Sequence, residues 1–416
     1  MQFTSYSRHQ DLYERVVPLA EIETILSSFR LTDSILRICQ INTFLAKGRY
    51  DQCDDYIQGF LRGNFFDEST INKINEKYAG RVKRIPIFFS RLQMLVLMRI
   101  CARVCSDSAD KRKIDSPEEK KEFGRCCLWI TDHLETEDDV KAITEGNEDE
   151  ARRALAPQIA TSLELSRPTN IIHAIARTDI IFSEIVKTPN VIKKCGGFDL
   201  FTVFLSATEL SIEHFSEFVL FIYAGLEGRS IEELVNDPSL FIWQPQKFIS
   251  KTKIDLEDFD KLTKLISTPL VSLAQTIAAP IGGSIHKNFT ALNSCPMLKL
   301  PNGAFTCLDL DYLCEKLNTG IYWMIVDKFS GNDKARAQGM FGYIFEEYVN
   351  SIFRHVYPTL PQVLSGHFTE SPKYKGTSKE AFDAIYLSRT NPKHLFVLEY
   401  KSCSGPQKLD SFSSTK

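Results

Sequence analysis

Apolar residues recur at helical spacing from about residue 10 to residue 280. In LTDSILRICQINTFLAKG, Ile35, Leu36, Ile38, Cys39, Ile41 and Leu45 fall mainly on one side of a helix. The pattern predicts a core-facing helix that ends near Gly48, where glycine suits a C-terminal cap.

Other starts are marked by capping chemistry. DSPEEKKEFGRCCLWITDHL opens with a capping residue, Asp115, then Pro117 two positions later and acidic residues in the first turn, and turns apolar through Cys127, Leu128 and Ile130. DLEDFDKLTKLIS carries a like signal and sets Phe259, Leu262, Leu265 and Ile266 on one stripe. The most apolar stretches, IPIFFSRLQMLVLMRICARVC and FSEFVLFIYAGL, are interrupted by arginine or too short to cross a bilayer, so both read as buried helices. Clean alternation is scarce, which predicts few strands here. The charged segments 106–122 and 135–153 read as a solvated loop and a solvated helix face.

The pattern breaks at IAAPIGGSIHKN, where Pro280, Gly282, Gly283 and Ser284 crowd together. This break predicts two parts, a helical region over 1–280 and an α/β domain over 281–416. His286, just beyond it, reads as a loop histidine. MLKLPNGAFTCLDLDYLCEKL then predicts a strand, a turn at Asn302 and Gly303, a second strand and a helix from about Asp309. A further helix is expected around GIYWMIVDKF.

ARAQGMFGYIFEEYVNSIFRHVY predicts a strongly amphipathic helix with Phe341, Phe345, Tyr348, Val349 and Ile352 on its packed side. On that reading Glu347 points nearly opposite, and Glu346 lies at the stripe's edge, able to look into a site beside the core. Pro358 and Pro361 end the helix. QVLSGHF reads as a strand and TESPKYKGTSKE as a polar, lysine-rich loop. AFDAIYL and LFVLEYK read as two strands of a hairpin joined by SRTNPKH.

Composition narrows the classes. The chain has 416 residues, 43% hydrophobic and 25% charged, with a formal net charge of -3. Those fractions are ordinary for a globular protein, and a basic surface for nucleic acid has to be local. The N-terminal residues lack an apolar run with a small-residue cleavage site, so a cytoplasmic location is expected. The 11 cysteines match no paired CxxC zinc pattern and read as small apolar core residues under reducing conditions.

Charges inside the last two apolar runs carry the candidate chemistry. Glu399 and Lys401 are two residues apart and share one face of their strand. A hairpin register that sets Asp383 beside Glu399 brings two carboxylates and an ammonium together. Paired carboxylates want a cation, and hard oxygen donors suit Mg2+ or Mn2+. Lys401 beside that ion can orient a water and offset charge on a phosphate. Lys373, Lys375 and Lys379 lie nearby in sequence and suit phosphate contacts.

Glu346 on a preceding helix, Asp383 on one strand and LEYK with Glu399 and Lys401 on the next resemble the PD-(D/E)XK, restriction-endonuclease-like nuclease superfamily over residues 340–402. The residue before Asp383 is Phe382 where the superfamily pattern has proline. The resemblance implies that Asp383 and Glu399 bind the metal, that Lys401 is the catalytic lysine and that Glu346 is the supporting helix carboxylate. It implies a nuclease acting on DNA ahead of RNA, in defence or genome maintenance. The superfamily core adds a helix and a strand after the E-x-K strand, and the residues after Lys401 are too few for both. Either the chain is a fragment of a longer nuclease, or the core is abbreviated or completed by a partner, or the nuclease is degenerate. The fold expected is a mainly α N-terminal region followed by a small α/β domain. The helical region is expected to serve a homo-oligomer or a protein partner. Two other readings stay open: a catalytically inactive module that binds nucleic acid, and a helical scaffold for other proteins.

Overall fold

A computed structural model describes residues 9–50, 54–78, 87–134, 171–274, 290–356, 366–370, 384–388 and 395–398. Most of these residues are helical, with six short strands in two sheets. The helical N-terminal part and small α/β C-terminal part expected from the sequence are both present in this coarse sense. The break around Pro280 and His286 lies outside the described residues.

By its packing the chain forms two compact units, Met1–Ile171 with His214–Cys314, and Ile172–Glu213 with Glu315–Lys416. This division differs from the expected boundary at residue 280. Its physical reason is pairing across that point. Strand β1 (Ser267–Pro269) runs parallel to β2 (Met297–Lys299), and β2 pairs antiparallel with β3 (Phe305–Cys307). Residues after the break thus complete a sheet begun before it.

In the first unit the Leu31–Tyr50 helix is the centre, packed against the Asp54–Phe65 and Arg91–Val104 helices. Ile35, Ile38, Cys39, Ile41 and Leu45 are buried as expected, but Leu36 is half-buried and the helix continues past Gly48. Its buried polar residues bind backbone carbonyls on neighbouring segments. The Gln40 amide donates to the Leu234 carbonyl at 2.9 Å, and the Lys47 ammonium to that of Glu227 at 2.8 Å. Such bonds are what make polar residues tolerable in a core.

Gly124 lets the Pro117–Trp129 helix approach the Asp54–Phe65 helix closely. A Cβ there would lie 1.8 Å from the Phe65 carbonyl oxygen. Ser116 and Glu119 form the reciprocal cap of the Pro117 helix. Asp255 caps the Leu256–Ile266 helix through the Asp258 amide at 2.8 Å. The Asn302-Gly303 turn joins β2 to β3, with Gly303 at φ +78°.

Arg91 is a buried cation of this unit. Its guanidinium grips Asp309 through two bonds of 2.7 and 2.8 Å, lies 3.4 Å from Asp311, and sits 4.2 Å from the Tyr312 ring centre. Burial alone would lower its pKa, but the two aspartates raise it well above the usual arginine value. Asp309 also accepts the Tyr312 amide at 2.9 Å, opening the Leu310–Glu315 helix.

Seven of the nine described cysteines are buried: Cys39, Cys101, Cys105, Cys126, Cys127, Cys307 and Cys314. All nine are free thiols. Among the described residues no helix is long and apolar enough to cross a membrane.

The second unit is built on the Gly331–Val356 helix, which packs against the Pro189–Cys195 helix. Helices Ile171–Ser183, Leu200–Thr208 and Ile321–Val326 complete its helical part. Strands β4 (Gly366–Glu370), β5 (Ala384–Ser388) and β6 (Leu395–Leu398) form an antiparallel meander, and β4 lies against the long helix. The hairpin expected from AFDAIYL and LFVLEYK is therefore present as β5 and β6.

Candidate functional site

The described part of the candidate site is the Gly331–Val356 helix and what packs on it. Its fully buried stripe is Ala337, Met340, Ile344, Glu347 and Asn350. This corrects the expected stripe. Phe341, Phe345, Tyr348 and Val349 are half-buried, Ile352 is 43% exposed, and the buried face is turned by roughly a third of a revolution. The cause is tertiary, because the Pro189–Cys195 helix packs on this helix and its Asn190 bonds Glu347.

Local chemistry shapes that docking helix. Thr188 caps it through the Val191 amide at 3.4 Å, Pro189 starts it, and Gly196 at φ +58° and Gly197 at φ +82° turn the chain away. Only glycine adopts such positive φ angles without strain, so the Gly-Gly pair sets a sharp corner. Asp199 then caps the next helix by accepting the Thr202 amide at 2.9 Å. The corner holds Lys194 and Cys195 at the helix end. Burial pushes the Cys195 thiol up.

The adjacent carboxylates of the long helix have different partners. Glu347, expected to point away from the packed side, is only 4% exposed. Its carboxylate accepts the Asn190 amide at 2.8 Å and the Arg354 guanidinium at 2.5 Å. Glu346 accepts the Lys194 ammonium at 2.8 Å, with side chains 13% and 22% exposed respectively. The fate of each carboxylate is thus decided by the docking helix: Asn190 near its start holds one, and Lys194 near its end holds the other.

Beside this pair opens a cleft of about 550 Å3 lined by Lys194, Asn332, Arg336, Gly339 and Tyr343, among others. The Lys194 ammonium is 5.5 Å from the Tyr343 ring centre, and the Arg336 guanidinium is 4.5 Å from that of Phe198. Arg336 also lies 3.6 Å from Asp333. Chemically this is an aromatic surface with two cations, each beside a carboxylate.

Of the residues singled out from the sequence, Glu346 is in this region. Asp383, Glu399 and Lys401, and the loop lysines Lys373, Lys375 and Lys379, lie outside the described residues. Their neighbours are described: Ala384 of β5 pairs with Leu398 of β6. Lys194, Glu347, Arg336 and Tyr343 were not legible as site residues. The Thr-Pro start and Gly-Gly stop around the docking helix signal that helix, but nothing local signals which surface it meets.

Compared with models of known protein families, with curated proteins and with solved structures, the chain matches none.

Proposed function

We propose that the chain is a metal-dependent nuclease hydrolysing phosphodiester bonds, of DNA ahead of RNA. The carrying observation is the ladder of β5 and β6, in which Ala384 pairs with Leu398. In sequence, Asp383 directly precedes Ala384 and Glu399 directly follows Leu398. This pairing supports the register that two metal-binding carboxylates on neighbouring strands require. The order of elements supports it too, since the meander follows a long helix bearing Glu346. On this reading the helix and meander belong to a restriction-endonuclease-like core.

The donor set fits the ion. Asp383 and Glu399 offer hard carboxylate oxygens and would hold Mg2+ or Mn2+, which supplies Lewis-acid polarisation of the phosphate. Lys401, two residues beyond Glu399, has the parity of the same strand face. Its ammonium offsets charge developing on phosphate oxygens and holds a water for attack on phosphorus. That attack breaks one phosphorus–oxygen bond to a sugar.

Glu346 has a narrower role than the resemblance implies. Its ion pair with Lys194 favours a positioning role, holding the docking helix beside the site. Incubating the full chain with plasmid, single-stranded DNA and RNA, with and without Mg2+ or Mn2+, tests the proposal. Cleavage that requires the metal supports it, and intact substrates under all conditions count against it.

A further inference from the structure

We infer that the cleft lined by Lys194, Arg336 and Tyr343 binds one strand of nucleic acid, with backbone phosphates on the two cations and an unpaired base against Tyr343. This rests on the nuclease reading for the identity of the polymer. The shape and chemistry of the cleft stand independently of it.

Four observations carry the inference. The first is alignment: Asn332, Arg336, Gly339 and Tyr343 follow one another by four, three and four residues, so they form a single stripe along the Gly331–Val356 helix. The next residue at that spacing is Glu346. The cleft therefore leads along the helix toward Glu346. The second is volume, since about 550 Å3 is within the range that holds small ligands and nucleotide-sized groups.

The third is the pairing of charge with an aromatic face. Arg336 is more than half exposed, and Tyr343, at 38% exposure, offers a ring for stacking. Cations flanking an aromatic ring are the recurring surface for single strands, because every base has a π-face and every nucleotide a phosphate. Asp333 beside Arg336 and Glu346 beside Lys194 compete for these cations. An incoming phosphate has to displace or share those partners, and two phosphate contacts on a single strand give a log–log salt slope of only about -1.4.

The fourth is the floor. Beyond its own helix backbone, a Cβ at Gly339 would meet no atom within 4 Å. Glycine inside a helix costs about 1 kcal/mol relative to alanine, so its presence mid-helix asks for a reason. Here it leaves the cleft open. Gly342 also has no atom within 4 Å of such a Cβ, but it does not line the cleft.

That difference supplies a test that does not depend on damaging the fold. Binding of a fluorescein-labelled oligothymidylate to the full chain is followed by anisotropy in EDTA, so that metal-dependent cleavage does not interfere. Gly339→Leu fills the cleft while favouring the helix, and it should weaken binding at least tenfold. Gly342→Leu should leave binding unchanged. Tyr343→Ala should weaken it roughly tenfold, the range of a lost base–aromatic stack. Arg336→Glu should weaken it and flatten its dependence on salt. A Gly339→Leu protein with parental thermal unfolding and parental binding overturns the inference. If the parent binds a strand through this cleft yet cleaves nothing, the nuclease reading fails and this one stands. If Gly339→Leu binds and cleaves like the parent, the reverse holds.

Discussion

The Lys194 ammonium lies 2.8 Å from the Glu346 carboxylate, joining residues 152 positions apart in sequence. The pair fastens the docking helix to the helix that carries the candidate site. Both side chains are largely but not wholly covered, so its coupling should be modest, about 1 kcal/mol. A double-mutant cycle with Lys194→Met and Glu346→Gln, read by urea unfolding, measures it. Additive effects of the two changes would show that the pair contributes nothing.

Glu346 and Glu347 should separate by phenotype. Glu347→Ala removes a buried carboxylate together with its charge-assisted hydrogen bonds to Asn190 and Arg354, and a cost of about 2 to 3 kcal/mol is expected. Glu346→Ala should cost less in stability. If it is a positioning residue, it should lower the cleavage rate without abolishing it or shifting the metal concentration needed. Unfolding curves and metal titrations of both variants check this. Equal stability losses would contradict the division of roles.

The Arg91 network in the first unit makes a larger demand. Asp309→Ala would leave the Arg91 guanidinium with Asp311 at 3.4 Å and without its two-bonded partner. Breaking one partner of a buried ion pair typically costs about 3 to 5 kcal/mol. Asp309→Asn, which keeps an acceptor, should cost less. Urea denaturation of the two variants gives the comparison, and a near-neutral Asp309→Ala would show that the network is dispensable.

Asp67 predicts a dependence on pH. Burial raises its pKa, but hydrogen bonds from the Thr70 amide and hydroxyl, together with Arg125, outweigh that and leave it below the ordinary carboxylate value. A depressed carboxylate stabilises the fold above its unfolded pKa, about 3.9. That contribution is lost as pH falls through the lower, folded value. Asp67→Ala should therefore cost about 1 kcal/mol at neutral pH, as for other lost helix caps, and progressively less as pH falls below about 4. Stability of parent and variant against pH tests the sign. A gap that widens on acidification would contradict it.

Local chemistry explains which features could be read from the sequence. The Asn302-Gly303 turn and the Asp255 cap act within a few residues and appear where the residues predict; the Pro117 helix starts as predicted too, but its cap is Ser116, not the Asp115 that opens the run. The buried stripe of the Gly331–Val356 helix was misplaced because it includes Glu347 and Asn350, polar residues that periodicity assigns to solvent. Their burial depends on a partner helix about 150 residues away in sequence. Gly48 failed as a helix end for a related reason: packing around the central helix outweighs a single weak helix former. The division into units was likewise invisible, since β1 and β2 pair across the strongest local break.

Cleavage of single-stranded DNA by the full chain in Mg2+ or Mn2+ should disappear in Asp383→Ala and in Lys401→Ala, with circular dichroism and thermal unfolding unchanged. Metal-dependent cleavage that persists in both folded variants would contradict the account.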